Sequence, residues 1–114
     1  NQPIMIRKAF IMSIKQGCEL EYEKRHNPIW PELEATLLEH GVRSYSIFLH
    51  PDKRYLFAYA EIENEGLWNA IPSTDVCQKW WQWMSEIMET NPDMSPKTVN
   101  CEEVFHMRHP QVKG

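Results

Sequence analysis

Residues 4–14 alternate in polarity. Ile4, Ile6, Phe10, Met12 and Ile14 share one side, interrupted by Lys8, and Arg7, Ala9, Ile11 and Ser13 share the other. A period of two predicts a strand, which Gln16-Gly17 ends. A helical span follows over residues 18–40, with Leu33, Leu37 and Leu38 as its inward stripe. Gly41 then stands where a left-handed residue closes a helix. Residues 42–49 predict a second strand with Arg43, Tyr45, Ile47 and Leu49 on one face. His50-Pro51-Asp52-Lys53 has turn chemistry, and residues 55–62 predict a third strand antiparallel to the second.

A short helical turn fits residues 63–71, and Pro72 breaks it. Ser73, Thr74 and Asp75 are N-cap candidates, with Asp75 and Gln78 spaced as a capping box. The next helix runs to about Glu89, because Cys77, Trp80, Trp81, Met84, Ile87 and Met88 recur at three- and four-residue steps. Residues 98–107 read as the last strand.

The order β-α-β-β-α-β defines an α+β fold of the ferredoxin-like kind, a four-stranded antiparallel sheet with its helices on one face. The opposite face carries large apolar and aromatic groups and needs cover. Two sheets can pack together, or a ligand can fill the space; folds of the dimeric α/β barrel type do both.

The 114 residues suit one domain. Residues 5–107 form it, residues 108–114 read as a polar tail, and residues 1–4 read as an N-terminal extension. Met5 is a candidate natural start and the extension a candidate non-native segment. A net charge of −4, with no Lys/Arg run longer than two, gives no electrostatic footing for nucleic acid or an anionic membrane. No apolar run approaches the ~20 residues that span a bilayer. Cys18, Cys77 and Cys101 are odd in number and lack a CxxC pair, which fits reduced thiols in a cytoplasm better than a disulfide framework. Neither a zinc-ligand spacing nor a grouped-glycine phosphate loop occurs. Five tryptophans are many for this length and equip a pocket as readily as a core.

The first helical span carries a conflict. Pro28 and Pro31 remove backbone donors inside it, and Pro28 pushes Asn27 out of the helical region. The helix should break after His26, either as a kink or as two helices with Asn27 as cap and Pro28 as the first helical residue. Tyr22 and His26, four residues apart, share a face at that joint. A phenol and an imidazole together suit a polar ligand with exchangeable protons.

The motifs Arg7-Lys8-Ala9-Phe10, Arg25-His26-Asn27-Pro28-Ile29-Trp30-Pro31-Glu32-Leu33, Trp68-Asn69-Ala70 and Ser73-Thr74-Asp75-Val76-Cys77-Gln78 with Trp80-Trp81 together resemble the L-rhamnose mutarotases. The resemblance runs from about Met5 to Phe105 and departs from the family pattern at His106-Met107. It implies a dimeric α/β barrel, a homodimer through the open sheet face, and interconversion of the α and β pyranose anomers of L-rhamnose. It also implies His26 as proton donor, with Tyr22, Tyr45, Trp80 and Trp81 contacting the sugar and no metal or organic cofactor involved. The chemistry is compatible, since ring opening needs only acid and base help and a 6-deoxy sugar offers an apolar face for indoles to stack on. Two other readings are a monooxygenase of the same fold and a non-catalytic sugar-binding module.

Overall fold

A computed structural model describes residues 5–110. The extension at residues 1–4 lies outside the described residues, as does the tail beyond Pro110. The elements are β1 (Ile6–Ser13), α1 (Glu19–His26), α2 (Pro31–Glu39), β2 (Val42–Leu49), β3 (Tyr55–Ile62), α3 (Glu65–Ala70), α4 (Asp75–Met84) and β4 (Val99–Cys101). A single 3-10 turn over Ile71–Ser73 joins α3 to α4. The strands form one sheet in the order β2-β3-β1-β4, and every pairing is antiparallel. This is the α+β, ferredoxin-like order that the alternating pattern predicts.

The core lies between the sheet and the helices. Met12 of β1, Ile14 just beyond it, and Leu56, Ala58, Ala60 and Ile62 of β3 are buried on the helix side. Lys8 interrupts that face without being buried alone, because its ammonium reaches Glu65 of α3 at 3.0 Å. In α4, Cys77, Trp80 and Met84 fall on one stripe and are buried. Burying a side chain of this size contributes about 1.5–3 kcal/mol relative to exposure. Thr74 starts α4, its hydroxyl oxygen accepting from the Cys77 amide. The expected Asp75–Gln78 capping box does not form, since the Gln78 side chain donates instead to the Pro72 carbonyl. Gly41 takes the left-handed conformation, with φ of 84°.

The structure moves several boundaries. α4 ends at Met84, not near Glu89, yet the apolar stripe continues: Ile87 and Met88 stay buried as the chain turns back and Met88 bridges Ile14. β4 keeps only three residues, because Ala9 to Ile11 of β1 supply its whole pairing, and residues 102–110 run exposed and irregular. A bulge between Val42 and Ser44 adds one residue to β2. Arg43 therefore leaves the face of Tyr45, Ile47 and Leu49, and Val42 takes its place in the core. Leu38 is exposed, leaving Leu33 and Leu37 as the inward stripe of α2.

Among the described residues, no helix covers the other sheet face. Phe48, Tyr55, Phe57 and Val99 are all exposed there, and Phe48 of β2 sits directly opposite Phe57 of β3.

Candidate active site

The break in the first helical span falls where the prolines require it. α1 stops at His26, Asn27 leaves the helical region, and α2 starts afresh with Pro31 as its first residue. Trp30, not Asn27, is the residue that caps α2, and its carbonyl accepts from the Leu33 and Glu34 amides. His26 is therefore the last helical residue before the chain turns.

The side chain of His26 is fixed on two sides. Its Nδ1 lies 2.9 Å from the Tyr22 carbonyl oxygen, so Nδ1 donates. The ring lies 4.3 Å from the Tyr22 ring and meets Trp80 edge-on at 5.1 Å, centroid to centroid. Burial pulls the His26 pKa below its ordinary 6.5, and the bond to Tyr22 opposes this in part. The imidazole is thus mostly neutral at pH 7, with Nε2 as its free basic nitrogen.

Tyr22 is buried, and burial pushes its phenol well above the ordinary range, with Tyr45 adding to the shift. Tyr45 stands on β2 with its ring against Phe10 at 6.3 Å and Trp68 at 6.1 Å, and 38% of the residue stays open toward the cavity mouth. Its phenol is raised by burial as well. Both tyrosines keep their protons near neutrality, so they can donate hydrogen bonds but do not serve as bases. The inward residues of β3 near them are the small Ala58 and Ala60, which leaves the space above the sheet to side chains from β1 and β2.

Trp80 and Trp81 have different settings. Trp80 is buried, boxed by His26, Trp30 at 5.0 Å and Trp83 at 5.5 Å. Trp81 is half-buried and packs against both halves of the core. Tyr22, His26, Tyr45, Trp80 and Trp81 all line one open cavity of about 1110 Å³. The sequence pattern did not single out Phe10 and Trp68 as cavity residues; Phe10 reads there as one more inward strand residue.

A ferredoxin-like sheet carrying an open aromatic cavity, two protonated phenols and a largely neutral imidazole has the means to hold a small polar molecule and to move its protons, as the small-molecule isomerases require. A family model described as L-rhamnose mutarotase matches residues 7–107, and the chain belongs to that family. The L-rhamnose mutarotase of Opitutus terrae is 57% identical over 103 residues, 90% of this chain and 99% of that protein. That of Escherichia coli K12 is 52% identical with the same coverage. The crystal structure of L-rhamnose mutarotase FA22100 from Formosa agariphila superposes with a TM-score of 0.83 at 37% identity, covering 90% of this chain and 99% of the other. A putative antibiotic biosynthesis monooxygenase from Nitrosomonas europaea reaches a TM-score of 0.62 at 15% identity, over 92% and 95% of the two chains, a likeness of fold alone.

Proposed function

We propose that this chain interconverts the α and β pyranose anomers of L-rhamnose by acid/base-assisted ring opening, with His26 as the proton donor and Tyr22, Tyr45, Trp80 and Trp81 as the sugar contacts. One observation carries this reading: in a chain of the mutarotase family, an imidazole held through Nδ1 shares a cavity with two phenols and two indoles. Opening the ring breaks the bond from C1 to the ring oxygen. The ring oxygen gains a proton and the C1 hydroxyl loses one. Because the Tyr22 carbonyl keeps Nδ1–H engaged, Nε2 does the exchanging. Neutral His26 takes the C1 hydroxyl proton on Nε2, and the resulting imidazolium donates it to the ring oxygen. After rotation about the C1–C2 bond, the steps reverse on the other face of the carbonyl. Acid/base help of this kind is worth roughly 10²–10⁴-fold, and it needs no metal or organic cofactor.

The protein works as a homodimer, a dimeric α/β barrel in which the open sheet faces of two copies cover each other. The exposed Phe48, Tyr55 and Phe57 supply the apolar patch for this contact. Its setting is the cytoplasm, in keeping with the free thiols of Cys18, Cys77 and Cys101.

NMR exchange spectroscopy between the two anomeric proton signals of L-rhamnose tests the activity. Wild type should exceed the uncatalysed exchange rate, and His26→Ala should return to it while keeping its circular dichroism. Undiminished exchange in His26→Ala would remove that residue from the mechanism.

A further inference from the structure

Arg25, the neighbour of His26, makes a contact that the reaction does not explain. Its guanidinium is largely covered, and all three of its nitrogens are engaged. Nε donates to Glu21 at 2.7 Å, one terminal nitrogen donates to the Trp83 carbonyl at 2.7 Å, and the other donates to Glu86 at 2.9 Å. The plane also lies over the Trp83 ring at 4.3 Å. The Trp83 carbonyl belongs to the last turn of α4, where helix carbonyls lack intrahelical partners and favour a cation.

Among the described residues, Arg25 makes the only side-chain hydrogen bonds between α1 and the chain of α4 and its exit. That matters because α1 ends one residue later and has no helical continuation to hold it in place. On the far side of the same contact, Trp83 stacks on Trp30 at 5.3 Å, Trp30 meets Trp80 at 5.0 Å, and Trp80 meets His26 at 5.1 Å. The contacts form a closed circuit from Arg25 through three indoles to the imidazole beside it.

We infer that Arg25 is a positioning residue, setting the His26 end of α1 against Trp80 through the C-terminus of α4. The inference rests on the functional reading above for its effect on turnover. Lysine cannot replace it, because an ammonium lacks the planar fork that reaches a carbonyl and two carboxylates at once. The titratable and charged groups sharing the cavity with His26 include Glu19, Tyr22 and Glu23 of its own helix, Lys8 of β1, Glu34 of α2, Tyr45 of β2 and Cys77 of α4. The shift at His26 comes from burial and the Tyr22 carbonyl, so looser enclosure should show in its titration.

The test compares Arg25→Lys with wild type by anomer exchange and by NMR titration of the His26 ring proton. Arg25→Lys should stay folded, lose kcat by roughly 10- to 100-fold as expected for a misplacement near 1 Å, and change KM much less. Its His26 titration should move up toward the ordinary 6.5. A wild-type kcat per folded molecule together with an unmoved titration would overturn the inference. If Arg25→Lys does not fold, Glu86→Gln and Glu21→Gln each remove one bond and should shift kcat and titration the same way by less; no shift in either overturns it. If wild type shows no rhamnose exchange, the functional reading fails, while the His26 titration still reports positioning.

Discussion

The Nδ1 atom of His26 lies 2.9 Å from the carbonyl oxygen of Tyr22, one helical turn earlier in α1. A carbonyl only accepts, so this contact fixes which nitrogen carries the proton in the neutral ring. It leaves Nε2 able to take a proton before it gives one. The resting enzyme is therefore the neutral form.

That assignment sets the sign of the pH dependence. Burial lowers the His26 pKa below 6.5. Enzymatic exchange, after subtraction of the uncatalysed rate, should be flat near neutrality and fall as pH drops through the His26 pKa. A kcat/KM profile reads this directly. A rate that climbs as pH falls below 6.5 would make the imidazolium the active resting form.

Stability should follow the same residue. Folded His26 binds a proton less readily than the unfolded chain does, so the unfolded state carries more protons between the lowered pKa and 6.5. Stability therefore rises with pH across that window, falls as pH drops through it, and loses nothing more from this group below it. Asp52 and Glu103 have lowered pKa values, through hydrogen bonds from the Arg54 amide and from the Arg7 side chain respectively. Their contributions fade only further down, as pH drops through the carboxylate range. Thermal melts of wild type and His26→Gln between about pH 7.5 and about pH 5.5 should converge or cross, with wild type showing the steeper loss. Parallel curves would mean that the imidazole titrates alike in both states.

Much of this arrangement was readable in the chain, and the losses have specific causes. Alternation placed β1 and β3 because one face of each is buried. The two prolines placed the end of α1 because a missing donor has one consequence wherever it falls. The four-residue spacing put Tyr22 beside His26. The bulge at Arg43 was invisible, since a period of two gives no sign of an inserted residue. The end of α4 was misplaced because buried Ile87 and Met88 extend the helical stripe through a turn that is not helical. Arg25 was hidden for another reason: with Glu21 four residues earlier it reads as an ordinary solvated pair, and only the fold brings Trp83 and Glu86 to it.

Tyr45 gives a sharper test of the cavity. Its phenol is raised above the ordinary range and keeps its proton at neutral pH, so its hydroxyl can donate. Tyr45→Phe removes the hydroxyl but keeps the ring against Phe10 and Trp68. A lost hydrogen bond of about 1–1.5 kcal/mol corresponds to roughly a tenfold rise in KM for rhamnose. Thermal stability should change little. An unchanged KM would assign the hydroxyl to packing rather than to the sugar.

Phe48 and Phe57 face each other across β2 and β3 on the bare side of the sheet. Exposed side by side, they form the centre of the apolar patch assigned to the dimer contact. Phe48 also borders the cavity but Phe57 does not, so a change at Phe57 separates assembly from chemistry. Phe57→Glu places like charges against each other in a symmetric contact, which costs far more than the loss of one ring because the partner contributes the same residue. Light scattering after gel filtration should give twice the chain mass for wild type and the single chain mass for Phe57→Glu. Two further readouts show what the contact does: if exchange per chain survives in the monomer, each cavity is complete within one copy, and if it falls with an unchanged fold, the partner stabilises the sheet under Tyr45. A Phe57→Glu protein that keeps the wild-type mass would place the dimer contact on another face.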